Sequence, residues 1–114
     1  MSTHALDALE RIVDEDGGAD DVLRSVVQRL VEEPEIAWAG IAFLEQGALA
    51  LGPRAGTADK SRRLRTPVDF QGRSVGELWV DGRADGAFLE HVALLISAHV
   101  LIGWDTRGEY WDAS

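Results

Sequence analysis

Apolar and polar positions alternate along two neighbouring stretches of the chain, and the alternation predicts its best-marked feature. Leu64, Thr66, Val68 and Phe70 repeat with a period of two, Gln71-Gly72 follows, and Val75 to Asp81 alternates again. Such patterning on both sides of a turn dipeptide predicts a β-hairpin. Upstream the period lengthens. Val22, Leu23, Val26, Val27, Leu30 and Val31 recur at helical spacing opposite Arg24, Gln28 and Glu32, with Asp20 as the expected N-cap and Glu33-Pro34 as the stop. An earlier helix is predicted over residues 4 to 14, broken by Gly17-Gly18. Ile36 to Leu44 holds almost no polar residue, as expected of a central strand covered on both faces. Gln46-Gly47 turns it into a second strand, Ala48 to Gly52, and residues 53 to 63 are predicted to be loop.

After Gly82 the pattern turns helical again, over residues 86 to 103. Phe88, Val92, Leu95, Ile96, His99 and Ile102 share the side expected to lie on the sheet. Leu94 and Leu101 lie opposite, a second apolar stripe to be covered by the N-terminal helices or by another copy, so a homodimer is expected. The tail from Trp104 to Trp111 carries too many aromatics for a disordered end. A small sheet covered on one face by helices follows.

Alternation also separates the two sheet faces. Ala37, Ala39, Ile41 and Phe43, with Gly76, Leu78 and Val80, are assigned to the helices; Ile36, Trp38, Gly40 and Ala42 to the other side. That other face then gathers Trp38, Trp79, Glu77, Asp81, Arg65 and Asp69, aromatics among charges, the composition of a recognition surface. Burying one indole is worth about 2 to 3 kcal/mol, so two tryptophans must be covered by something. Either the short loop and the tail, through Tyr110 and Trp111, cover them, or a partner does.

Charge sharpens the picture. The chain of 114 residues, expected to form a single domain over 1–114, has a net charge of −9. Acidic residues from Asp7 to Glu35 crowd its first third, whereas Arg54, Lys60, Arg62, Arg63, Arg65 and Arg73 crowd the middle. The overall sign argues against nucleic-acid binding, which needs clustered cations, while the basic stretch is suited to an anion or an acidic partner. No apolar run reaches the roughly 18 residues of a membrane span and no signal peptide is seen, so no membrane association and a cytoplasmic location are expected. Cysteine is absent, which removes disulfides, zinc-thiolate sites and thiol mechanisms. His91 and His99 lack a ligand motif, the serines lack a partner motif, and the glycines form no phosphate loop. No metal and no cofactor is expected.

The element order, the words V-G-E-L-W-V-D at 75 to 81, W-A-G-I-A-F-L at 38 to 44 and L-G-P-R-A-G at 51 to 56, and the long final helix together resemble a GAF domain. Within that superfamily they are most similar to the branch of free methionine-R-sulfoxide reductases. The resemblance implies an α+β fold: a four-stranded antiparallel sheet in the order 2-1-4-3, with the N-terminal helices and the long C-terminal helix on one face. It also exposes departures. Such reductases carry a cysteine shortly after the L-G-P-x-x-G word, where this chain has Asp59, and further cysteines in an excursion that is missing here. Their glutamate before the V-P of the third strand falls near Arg63 or Leu64. Of their two aspartates in the fourth strand, the first is Trp79 and only Asp81 matches. Thiol-based sulfoxide reduction needs a thiolate, and there is none.

The function expected is therefore a non-enzymatic GAF-like binding or regulatory module that recognises a small anionic ligand or a protein partner through the sheet face away from the helices. Its candidate residues are Trp38, Arg54, Asp59, Arg62, Arg65, Trp79 and Asp81. The alternatives are a self-associating structural module, and acid-base chemistry among Asp59, Asp69, Glu77 and Asp81, since clustered carboxylates shift one another's pKa.

Overall fold

The computed structural model describes the backbone of residues 3–14 and 18–113 and the side chains of residues 4–14 and 18–101. Helices α1 (Thr3–Asp14) and α2 (Ala19–Leu30) lead into β1 (Ile36–Glu45) and β2 (Ala48–Gly56). A 3-10 turn at Lys60–Arg62 precedes β3 (Arg63–Phe70), β4 (Arg73–Gly82) and α3 (Gly86–Ala113). The strands form one antiparallel sheet in the order β2-β1-β4-β3, as the resemblance implies.

Both hairpins close through two-residue turns, Gln46-Gly47 and Gln71-Gly72, in which both residues have positive φ (50° and 83°, 53° and 80°). This is the type I′ conformation, whose twist matches that of the strands it joins. The two prolines in strands, Pro53 and Pro67, sit in β2 and β3, the edge strands, where a missing N–H is tolerated.

The core lies between the sheet and the helices. Leu9 of α1, Val26 and Leu30 of α2, Ile41 and Phe43 of β1, Leu78 and Val80 of β4, and Val92 and Ile96 of α3 are all essentially inaccessible. Gly52 makes room for the Phe43 ring, since a Cβ there would lie 2.2 Å from it.

Several boundaries differ from the pattern reading. Asp20 is not the N-cap of α2: Gly18 holds that position, and Asp20 and Asp21 fall in the first turn, where carboxylates favour the positive end of the helix. β2 continues through Pro53 to Gly56 by pairing with β1, so the predicted loop shrinks to a short connection and one 3-10 turn. Ile36 belongs to the helix face and Ala37 is exposed, because the β1–β4 register shifts between Ile36 and Trp38. Helix α3 runs on to Ala113; the side chains of Tyr110 and Trp111, proposed as a cover, lie outside the described residues. Leu94 is 71% exposed, but Leu101 packs against the core, so the predicted outer stripe of α3 is reduced to one leucine.

The start of β1 is held from both sides by close backbone approaches. Thr57 donates its N–H to the Ala37 carbonyl and Arg83 donates to that of Glu35, each at 2.9 Å. The residues just before these donors are Gly56 and Gly82, with φ of 93° and 133°, and a Cβ on either would stand 2.2 Å from those same carbonyl oxygens. Gly82→Ala is expected to destabilise the protein by about 3 kcal/mol or more, from strain and clash together. Gly72→Ala, at positive φ but in open space, is expected to cost about 1 kcal/mol. Urea denaturation of the two variants measures the difference.

Candidate functional site

Cross-strand register lays out the sheet face away from the helices. One row runs Gly56, Trp38, Asp81, Arg63; the next runs Arg54, Gly40, Trp79, Arg65; a third runs Leu51, Ala42, Glu77, Pro67. Strand pairing alone therefore brings Trp38, Trp79, Asp81, Arg65 and Arg54 to one surface.

Trp38 lies along its own strand over Gly40, where a Cβ would come within 2.5 Å of the indole. The side chain of Arg63 covers it. Its guanidinium stands 4.5 Å from the Trp38 ring centroid and 5.3 Å from that of Trp79, and Arg65 stacks on Trp79 at 4.9 Å. The result is an alternating ladder: Trp38, Arg63, Trp79, Arg65. Each such contact contributes about 0.5 to 2 kcal/mol, more as it is desolvated.

Two carboxylates fix the rungs. Asp81 Oδ1 accepts from Arg63 Nε at 2.7 Å and Asp81 Oδ2 from Arg63 Nη2 at 2.9 Å, a bidentate pair. Oδ2 also accepts the backbone N–H of Asp59 at 2.7 Å, which ties the 3-10 connection to the sheet. Glu77 Oε1 accepts from Arg65 Nε at 2.7 Å and Trp79 Nε1 at 2.8 Å. Asp81 is wholly inaccessible and its partner Arg63 is 16% exposed, whereas the Arg65 side chain is 53% exposed. Strength is thus concentrated at the inner rung.

Burial is the largest influence on the Asp81 carboxyl and works to raise its pKa. The hydrogen bonds from Arg63 and from the Asp59 N–H, with the nearby charges of Arg63 and Lys60, outweigh it and hold the pKa below the ordinary carboxylate value. The hydrogen bond to Asp81 raises the pKa of Arg63 in turn, against the opposing effect of burial. A carboxylate held this firmly ionised is an anchor. It is opposite to the raised pKa a general acid needs near neutrality. Asp69 pairs with Ser74 beyond a register shift, away from Asp81, so the four carboxylates considered for acid-base chemistry do not form one cluster.

Of the residues singled out from sequence, Trp38, Trp79, Asp81 and Arg65 meet in the ladder. Arg54 shares their face on the far edge strand, three strand spacings or about 14 Å from Arg65. Asp59 contributes its backbone N–H, while its Oδ1 accepts from Ser61 Oγ at 2.6 Å, and Arg62 is exposed in the 3-10 turn. The central residue, Arg63, was missing from the candidates. Period-two counting back from Arg65 reaches it, but the predicted loop ran through residue 63 and ended the count. Its placement also corrects the argument from the tryptophans: Trp38 is 5% exposed because Arg63 covers it. The burial of Trp38 needs no partner, while Trp79 stays partly exposed.

Among the described residues no group of three or more His, Cys, Asp or Glu side chains is placed to hold a metal ion. No described helix is long and apolar enough to cross a membrane.

Arg63→Met is expected to destabilise the fold by about 3 to 5 kcal/mol, because it strands a buried carboxylate, and to shift tryptophan emission to the red. Chemical denaturation followed by fluorescence measures both. The pH dependence changes sign with it. In the wild type the folded pKa of Asp81 lies below the unfolded value of about 3.9, so its stabilisation is full above that value and is lost as pH falls further. In Arg63→Met, burial without its guanidinium raises the Asp81 pKa, and stability rises as pH falls through that raised pKa towards the unfolded value. Thermal unfolding between pH 3 and 7 separates the two cases.

No protein-family model matches the chain, and no curated protein matches it. Solved structures do match. Free methionine-R-sulfoxide reductase from Neisseria meningitidis, in complex with its substrate, superposes with a TM-score of 0.69 at 15% identity, over 90% of this chain and 89% of that one. The type II free methionine-R-sulfoxide reductase from Thermoplasma acidophilum gives 0.62 at 20% identity, over 81% and 94%. The GAF domain of the Acinetobacter phosphoenolpyruvate-protein phosphotransferase gives 0.66 at 15% identity, over 88% and 94%. These matches correct the expectation that the chain is no enzyme. Two of the three are enzymes built on this scaffold, and the absence of cysteine removes thiol chemistry rather than catalysis as such. The chain has a GAF-like fold.

Proposed function

We propose that the chain is a GAF-like recognition module whose outer sheet face docks an acidic segment of a protein partner. The observation that carries the reading is the basic character of a paved, shallow face on an otherwise acidic molecule. Arg54, Lys60, Arg62, Arg63 and Arg65 gather on or beside it against Asp59, Glu77 and Asp81, in a chain of net charge −9. Asp81 and Glu77 are already engaged by Arg63 and Arg65, and among the described residues Arg54 and Arg62 make no ion pair.

The inner part of the face favours a surface over an enclosed small molecule. Trp38, Ala42 and Asp81 are buried beneath Arg63 and its neighbours, and exposed Leu51 lies towards the β2 margin. A flat cationic area with one apolar margin suits an acidic peptide that brings an aliphatic side chain.

A second reading, self-association through α3, rests on Leu94, whose 71% exposure is the largest of any large apolar side chain described. Sedimentation at micromolar concentration distinguishes it: a dimer that Leu94→Asp abolishes supports it, and a monomer excludes it.

The docking reading is tested with a fluorescent oligoglutamate peptide. Binding is expected to saturate, to weaken with salt, and to fall about tenfold or more in the double variant Arg54→Glu/Arg62→Glu, with thermal stability unchanged. Equal affinity of wild type and double variant, or no binding at low salt, refutes it.

A further inference from the structure

At the hairpin end of the sheet the strands fork. Pairing between β1 and β4 runs from Ile36–Gly82 only as far as Phe43–Gly76. Each strand nevertheless stays paired with its hairpin partner to the tip, through Glu45–Ala48 on one side and Phe70–Arg73 on the other. The cause is local. The β3–β4 register shifts between Val68 and Asp69, which leaves Val75 as an extra residue opposite no partner and swings the tip of that hairpin away from β1. Beyond the last shared pair, the backbones of Leu44 and Ser74 lie outside the β1–β4 ladder.

The fork borders a partly open pocket of about 490 Å³. Leu44, Phe70, Val75 and, from α3, Leu101 supply apolar walls, while Arg73 and Ser74 stand in the lining. The two type I′ turns frame it through Gln46, Gly47 and Gln71. Its volume falls within the range of about 300 to 1,000 Å³ typical of small-molecule sites. The described lining contains one cation and no carboxylate, although the chain has 20 acidic residues against 11 basic ones. Arg73 is exposed and makes no ion pair among the described residues.

We propose that this fork is a binding site for a small amphipathic carboxylate, separate from the outer sheet face. The aliphatic or aromatic body enters between Val75, Phe70 and Leu101, and the carboxylate meets the Arg73 guanidinium, whose planar pair of donors matches two carboxylate oxygens. Ser74 and the side-chain amides of the turns offer neutral hydrogen bonds. A cationic amphiphile of the same shape finds the apolar walls but no counter-charge among the described lining residues.

The test is titration of the full chain with octanoate, octylammonium and octanol, followed by amide chemical shifts. Octanoate is expected to move the signals of Gln46, Gly47, Ser74 and Leu101 in a saturable way, and to bind at least about tenfold more tightly than octylammonium. Arg73→Ala, a change at an exposed position, is expected to weaken octanoate about tenfold with little change in octanol binding or thermal stability, and Arg73→Lys to recover part of the loss. Shifts confined to the outer face around Arg54, Arg65 and Trp79 overturn the proposal, as do equal affinities of wild type and Arg73→Ala or the absence of saturable octanoate binding. Because the acidic peptide is read at the outer face and octanoate at the fork, failure of one leaves the other standing.

Discussion

A buried carboxylate is the costliest group in this structure, and the architecture around it is organised to keep it ionised. Asp81 is inaccessible to water, yet both its oxygens are engaged, by a bidentate guanidinium and by the Asp59 N–H. Removing one partner from such a pair leaves a charge with no solvent to receive it, whereas the intact pair adds modestly to stability and strongly to specificity of geometry. Arg63 must be where it is. From that position it also stacks between Trp38 and Trp79, so a single side chain satisfies the buried charge and covers two indoles.

The same anchor decides what the outer face can do. Trp38 lies flat over Gly40 at the middle of this face, and what covers it is the protein's own Arg63. What reaches solvent is the outer end of the ladder, Arg65 and part of Trp79, with Arg54 and Arg62 beyond. Chemistry available at this surface is electrostatic and shallow. The firmly ionised Asp81 serves as a structural counter-ion, while any catalysis on this scaffold has to be sought without a thiol.

Away from the ladder, the sheet is defined by its turns and bulges. A type I′ turn keeps each hairpin paired to its tip, while the pairing between β1 and β4 stops short, beside the extra residue in β4. Strong local pairing and a central seam that stops short are compatible because each hairpin satisfies its own backbone groups. The pocket at the fork follows from that division, with Leu101 of α3 on its third side.

Much of this could be read directly from the amino-acid order. Period-two alternation around Gln71-Gly72 marked the central hairpin, helical spacing marked α2 and α3, and the resemblance at 75 to 81 implied the sheet order. Those features are local, and local periodicity encodes them. The misplaced strand boundaries share one cause, which is long-range pairing. Extension of β2 to Gly56, the inward turn of Ile36 at a bulge and the start of β3 at Arg63 all depend on hydrogen bonds to strands distant in sequence. Composition showed that two tryptophans needed cover and that arginines were crowded nearby. Only the tertiary structure could show that one of those arginines provides the cover, because the energy of a guanidinium between two rings and a carboxylate depends on distances that no residue spacing contains.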